Sequence, residues 1–290
     1  MKISGFTIIK NAVLNDYPVA ESISSILPVV DEMIVLVGDC EDSTEELIRS
    51  IGSDKIKIHR SVWDPSLREG GTVLAVETDK AFQLISPDSD WAFYIQADEV
   101  VHEKYHAAII EACKQYKNDR QVEGLLFRYV HFYGTYDYIG DSRRWYDHEI
   151  RIIRNDKSVK AYRDAQGFRK NGKKLYVKPV DACIYHYGWV KSPAQMRKKM
   201  SNVGRLWHKD EEMEAFIRTT DVFDFNDFDS LVHFEETHPQ VMHDRIKNAG
   251  WDLSFDTSIK RFTFKDRLLY FIEKKTGKRL FAYTNYKIIK

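Results

Sequence analysis

An apolar run, Trp91 to Ile95, stops abruptly at Gln96-Ala97-Asp98-Glu99, so two adjacent carboxylates stand at the end of what reads as a buried strand. In open α/β sheets, ligands bind outside the carboxyl ends of the strands. Carboxylates placed there can hold a hard divalent cation that bridges phosphate oxygens. The same residues can also start a helix, with Asp98 as N-cap and Glu99 in the first turn. Two other strand ends and one loop carry polar residues of matching chemistry. Lys10-Asn11 closes the apolar run Ile3 to Ile9 and is placed to face a ligand. Asp39 follows Met33 to Val37 and is placed to bind ribose or base. Arg68, in a loop with Gly70 and Gly71, can offset diphosphate charge.

The elements that must position these residues are legible in order. Strands are expected at Ile3 to Ile9, Met33 to Val37 and Ile56 to His59, with helices at Val19 to Leu27 and after Ser43. Ser43 and Glu46 have the spacing of a capping box. Two strand–helix–strand units in succession predict a parallel sheet with right-handed crossovers. A helix over Thr72 to Ile85 precedes the opening strand, and another is expected from about His102 to Tyr116. From Gly124 the pattern changes to alternating strands: LLFRYVHFYG, expected antiparallel, then EIRIIR (Glu149 to Arg154) and, after an expected loop rich in Lys and Gly, IYHYGW (Ile184 to Trp189). Eight aromatics fall between Phe127 and Tyr146, suited to the apolar faces of sugar rings and equally to a core. Gln195 to Phe216 reads as one charged helix, and Asp221 to Glu236 is acidic throughout.

Composition narrows the class. The 290 residues are 43% hydrophobic and 13% aromatic, enough for a sizeable core, as one large domain or two small ones. The 44 basic and 44 acidic residues balance, which argues against a general nucleic-acid binder. Three cysteines (Cys40, Cys113, Cys183) without CxxC spacing point to a reducing compartment and away from a disulfide framework or a cysteine-rich zinc site. No signal peptide and no apolar run of spanning length is present, so a soluble or membrane-peripheral protein is expected.

Taken together, FTIIKN, VGDCEDST, the RE-GG segment before a helix, WAFYIQADE and IYHYGW resemble a family 2 glycosyltransferase of the GT-A fold, over about Met1 to Val190. The resemblance implies an α/β fold: a Rossmann-like mixed sheet, mostly parallel, with helices on both faces and a C-terminal helical extension. It implies a nucleotide-diphosphate-sugar donor, UDP-type, bound through Lys10, Asn11, Asp39, Arg68, Gln96 and Ala97. It also implies a divalent metal, Mn²⁺ or Mg²⁺, and inverting transfer to a glycan or lipid-linked acceptor in bacterial surface-glycan assembly. WAFYIQADE stands in place of the family's DxD region. The ligand role of the last acid falls on Asp98, while the first position holds Gln96, which removes one negative charge. His186 matches a late histidine directed at metal or diphosphate; from its neighbours alone it is a half-buried strand histidine between Tyr185 and Tyr187. Glu99 tunes Asp98 or caps the following helix.

Inversion needs a general base. Asp141, Asp147, Glu149 and Asp164 are candidates, with Asp147 and Glu149 favoured because they flank Trp145 and precede a strand; an ion pair with Arg143, Arg144 or Arg151 is the competing role. Residues 1–190 are expected to form the transferase domain (1–123 for the nucleotide, 124–190 for the acceptor), and 191–290 the helical extension packed on it. The segment from Asp256 to Lys290 carries ten basic and three acidic residues, net +7. Within it, Arg267 to Lys275 reads either as a basic amphipathic helix for an anionic membrane or as a solvated helix docked on the body. The expected location is cytoplasmic, up to the inner face of the membrane. Two rival readings are a nucleotidyltransferase, which the glycine-free KNAVLNDY after the first strand disfavours, and a non-catalytic sugar-binding relative.

Overall fold

The computed structural model describes residues 1–289; Lys290, one of the ten basic residues of the tail, lies outside them. In chain order the elements are β1 (Ile3–Ile9), α1 (Val19–Ile26), β2 (Glu32–Val37), α2 (Thr44–Arg49), β3 (Ile56–Arg60), α3 (Thr72–Leu84), β4 (Trp91–Tyr94), β5 (Glu99–Val101) and α4 (His106–Gln115). Then follow β6 (Gly124–Gly134), β7 (Tyr138–Gly140), β8 (His148–Arg154), β9 (Val159–Tyr162), β10 (Gly167–Lys170) and β11 (Lys173–Val190). The remainder holds α5 (Pro193–Val203), α6 (Asp210–Thr219), β12 (Leu231–His233), α7 (His243–Lys247), α8 (Phe264–Thr276) and β13 (Tyr286–Ile288).

Along one path the strands run β3-β2-β1-β4-β8-β6-β11-β10-β9. The first four are parallel, in the order that βαβ units with right-handed crossovers produce. Antiparallel strands enter at β8, which pairs with both β4 and β6. β6 is antiparallel to β8 yet parallel to β11, so the second half is mixed. Because side chains alternate along a strand, β1 and β2 feed two cores at once. Ile3, Ile9, Met33 and Val35 pack on one face with Ile23 and Ile26 of α1 and Ile109 of α4. Phe6, Ile8, Ile34 and Leu36 pack on the other with Ala81 and Phe82 of α3. The α/β architecture with helices on both faces is thus set by ordinary period-2 burial of apolar strands.

Several local expectations give way to tertiary structure. No helix starts at Asp98. Glu99–Val101 is instead a strand, antiparallel to residues 184–186 of β11, and α4 begins only at His106 after a 3₁₀ turn capped by His102. Ser43 precedes α2 but forms no side-chain cap; the Asp42 carboxylate instead accepts from Thr44 N–H and hydroxyl. The Lys- and Gly-rich stretch before Ile184 is no loop. It is the β10–β11 hairpin and the outer half of an 18-residue strand. The charged segment from Gln195 splits at Gly204 into α5 and α6. The C-terminal part is helical but also lends β12 to β7 and β13 to β11.

Candidate active site

β4 ends in a turn that two hydrogen bonds close: Glu99 N–H donates to the Gln96 carbonyl (3.0 Å), and Gln96 N–H donates to Glu99 Oε2 (3.0 Å). Beyond the turn, β5 pairs with β11 so that Glu99 sits opposite His186, and Tyr187 N–H donates to the Asp98 carbonyl (2.8 Å). Main-chain pairing therefore sets Asp98 and His186 side by side, with Oδ2 and Nε2 3.7 Å apart. Gly188, two residues on and on the same strand face, keeps this corner open. A Cβ there would stand 2.6 Å from Asp98 Oδ2 and 2.7 Å from His186 Nε2.

Glu99 neither caps a helix nor faces the cavity. It is fully buried and accepts from Arg151 Nε (2.8 Å), Arg151 Nη2 (2.7 Å) and the Tyr129 hydroxyl (2.7 Å). Arg151 is itself fully buried and donates to the Gln166 carbonyl (2.9 Å). Bidentate pairing of this kind fixes both partners in one geometry. Glu99 is thus the pillar under the turn that presents Asp98.

The orientation of the His186 ring follows from its neighbours. His131 Nε2 lies 2.8 Å from the Tyr146 carbonyl, which can only accept, so that nitrogen carries the proton. Burial, with His186 adding to it, pushes the His131 pKa down to about 3, so the ring is neutral and Nδ1 is an acceptor. His186 Nδ1, 3.1 Å away, must be the donor. The other ring nitrogen, Nε2, faces the Asp98 carboxylate. Asp98 Oδ2 and His186 Nε2 thus converge on one gap, with the imidazole held by a histidine–carbonyl relay of the kind that stands behind metal-bound histidines. Among the described residues no group of three or more His, Cys, Asp or Glu forms a metal cage. A cation held here would draw its remaining ligands from water or substrate oxygens, as hard divalent ions at phosphate sites do. The donor set and the gap above Gly188 fit such an ion.

Two lysines complete the electrostatics. Lys199 of α5 places Nζ 3.7 Å from Asp98 Oδ2, donates to the Gly188 carbonyl (2.8 Å) and lies over the Tyr17 ring (4.8 Å). Lys191 is buried and bonded to the Asp16 carbonyl; burial and the nearby Lys199 push its pKa down to about 7. Burial alone would raise the Asp98 pKa, but His186, Lys199 and Lys191 outweigh it and hold the carboxyl well below its usual range.

Asp98, His186, Gly188 and Lys199 floor a cavity of about 750 Å³ at the carboxyl ends of β1 and β4. Lys10, Asn11, Arg68, Gln96, Ala97, Asp98 and His186 all line it. Asp39 stands one step back. It pairs with Lys10 Nζ (2.8 Å) and accepts from the backbone N–H of Trp63, a wall residue (3.2 Å). Asn11 has a positive φ of 54° and spends its side-chain oxygen on Glu41 N–H (2.8 Å). Arg68 is held by both oxygens of Asp210 at 2.6 Å, so its guanidinium faces the cavity already paired. Gln96 Nε2 reaches the Ala165 carbonyl at 3.4 Å.

The two favoured bases lie elsewhere. Asp147 is turned to His148 (3.2 Å) and Arg279 (3.6 Å). Glu149 is buried, and a Cβ at Gly167 would lie 3.0 Å from its Oε2 and 2.3 Å from Asn285 of the tail. Neither lines the cavity. Asp164 does, and among the described residues it has no cation within ion-pair distance; its Oδ2 accepts from Trp207 Nε1 at 3.4 Å. Sequence reasoning passed over Lys199, Gly188, Tyr17, Trp63, Trp189 and Trp207. Gly188 had a signal, a glycine two residues after a candidate ligand histidine on a strand. Lys199 had none, because it is one of three adjacent basic residues on its helix.

No family model matches the chain, and no curated protein sequence matches it. Among solved structures, glucosyl-3-phosphoglycerate synthase from Mycobacterium tuberculosis, with Mn²⁺, UDP and phosphoglyceric acid, aligns at TM-score 0.31 and 18% identity over 45% of this chain. That alignment spans 43% of the synthase chain. Residues 1–349 of S. aureus TarS in complex with UDP align at TM-score 0.39 and 10% identity, over 75% of this chain and 70% of that one. Likeness at this level bears no weight on what the chain does.

Proposed function

We propose that this protein is a glycosyltransferase that moves a sugar from a nucleotide-diphosphate donor, UDP-type, to an acceptor hydroxyl on a glycan or lipid-linked glycan. The observation that carries the reading is the open corner formed by Asp98, His186 and Gly188 on the floor of a cavity of about 750 Å³. That volume is in the range of sites that bury a nucleotide-sized ligand. The motif resemblance across residues 1–190 supplies the reaction class.

Asp98 and His186 would hold the divalent ion, whose chemistry is to neutralise the diphosphate as leaving group. Lys199 brings a second positive charge to the same place, as a preorganised donor in a buried setting. Trp63 and Tyr17 offer apolar surface for base and ribose, with Asp39 reaching the rim through Lys10. Asp164 is our assignment for the general base. A base must accept a proton from the acceptor hydroxyl, and Asp164 is a cavity-lining carboxylate without a cationic partner. Asp64, the other carboxylate on the wall, is committed to Ser66. An inverting displacement is the reaction that such a single base would serve.

The test is a panel of nucleotide sugars with Mn²⁺, read by thermal shift and by slow donor hydrolysis. Stabilisation by a nucleoside diphosphate, lost in Asp98→Ala, is expected. Failure of every nucleotide to bind would overturn the reading. Turnover of a nucleoside triphosphate with a sugar 1-phosphate would replace it with nucleotidyl transfer.

A further inference from the structure

The helix α8 has one face given to the body and the opposite face given to nothing. On the inner side Tyr270 and Lys274 hold Asp141, and Glu273 holds Arg143 at 2.6 Å. On the outer side Phe264, Leu268, Phe271 and Lys275 recur at helical spacing and form one stripe. Phe264 is 87% exposed, Leu268 52% and Phe271 58%. The chain then turns at Gly277 and exposes Phe281 at 89%. An apolar stripe facing water is costly for a soluble surface and marks a contact.

The charges around the stripe say what covers it. Lys265 and Arg267 flank it, Lys275 sits in it, and Lys278 follows it. Among the described residues none of the four has a carboxylate within ion-pair distance, whereas Lys274 and Arg279 nearby are paired. A second copy of this chain, docked face to face, would oppose four uncompensated cations with four more. A nucleic acid would leave the leucine and phenylalanines without a purpose. We infer that α8 and the turn after it form a docking face for an anionic lipid bilayer. The aromatics enter the headgroup boundary, and the lysine and arginine stems extend sideways so that their charges meet lipid phosphates. No helix among the described residues is long and apolar enough to cross a membrane, so contact through this face is peripheral.

None of these α8 residues lines the cavity. Yet the same segment braces the site's flank: Arg279 donates to the Trp145 carbonyl (2.6 Å), and Trp145 stacks on His131 (5.2 Å), the ring that orients His186.

The full-length chain is floated with vesicles of phosphatidylcholine alone and with equal parts phosphatidylcholine and phosphatidylglycerol. It is expected to float with the anionic vesicles only, and to be released at about 0.5 M salt. Phe264→Ser with Phe271→Ser, and separately Lys265→Glu with Lys278→Glu, should each weaken binding at least about tenfold. Both pairs should melt at the parental temperature, since these side chains hold nothing in the fold. Absence of flotation, equal flotation with neutral vesicles, or undiminished binding by both variants overturns the inference. So does a solution dimer, or an oligonucleotide complex, that is lost in the same variants while vesicles are ignored.

Discussion

Replacing Glu99 by glutamine keeps the shape of the side chain and removes its charge. In the folded protein that carboxylate and the Arg151 guanidinium are both fully buried, joined by two hydrogen bonds of 2.7 and 2.8 Å. The Tyr129 hydroxyl and the Gln96 backbone N–H add two more donors to the same carboxylate. The variant leaves Arg151 charged, dry and without its counter-ion, which costs about 3–5 kcal/mol. Unfolding entropy of about 2.1 cal/mol/K per residue gives roughly 0.6 kcal/mol/K for a chain of this length, so the melting temperature should fall by roughly 5–8 °C. Calorimetry gives the midpoint, and urea titration gives the free energy independently. Bound Mn²⁺, followed by its paramagnetic resonance signal, should still be detectable in the variant, because Glu99 does not face the Asp98–His186 gap. A midpoint within about 2 °C of the parent, together with complete loss of Mn²⁺, would refute the reasoning, since that is how a ligand behaves and a pillar does not.

Four further outcomes follow from the same geometry. Burial raises the Glu149 pKa from 4.5 to about 7, and its Oε2 has no hydrogen-bond partner among the described residues. The folded state therefore holds this proton more tightly than the unfolded chain, so stability should decline as pH rises from about 4.5 to about 7 and level off above. Glu149→Gln should remove that slope and stabilise the protein at pH 8 by up to about 3 kcal/mol, as read by denaturant titration across pH. Gly188→Ala should push a methyl into the metal gap and abolish Mn²⁺ binding, with a folded circular-dichroism spectrum retained. His131→Phe removes the acceptor that orients the His186 ring and should weaken Mn²⁺ about 10- to 100-fold in a direct titration. Asp164→Asn should lower kcat by about 10²–10⁴ with little change in donor KM; an unchanged kcat would reject it as base.

What could be read ahead of the structure was what local burial controls. The runs Ile3 to Ile9, Met33 to Val37 and Trp91 to Ile95 read as strands because short apolar runs between polar residues suit strands buried on both faces of a parallel sheet, and their polar ends mark one sheet edge. Asp98 could be proposed because it closes such a run, and His186 because its place matches the late histidine of the family that the motifs resemble. What could not be read depends on partners distant in sequence. Glu99 resembles a helix cap until Arg151, 52 positions on, is folded against it. Asp147 and Glu149 resemble bases until the antiparallel return of β8 turns them under the tail and away from the cavity. The Lys- and Gly-rich start of β11 resembles a loop because its pairing with β6 and β10 is not local. Lys199 is invisible among three adjacent basic residues until their helix is laid across the strand ends.

The Asp98–His186 corner is expected to bind a divalent ion together with a nucleoside diphosphate. Isothermal titration of UDP into the purified chain, with Mn²⁺ and then with excess chelator, tests it directly, with Asp98→Asn alongside. One saturable site is expected, strong with Mn²⁺, markedly weaker with chelator, and absent or metal-insensitive in the variant. No heat of binding with Mn²⁺, or equal affinity in Asp98→Asn with the metal response intact, would contradict it.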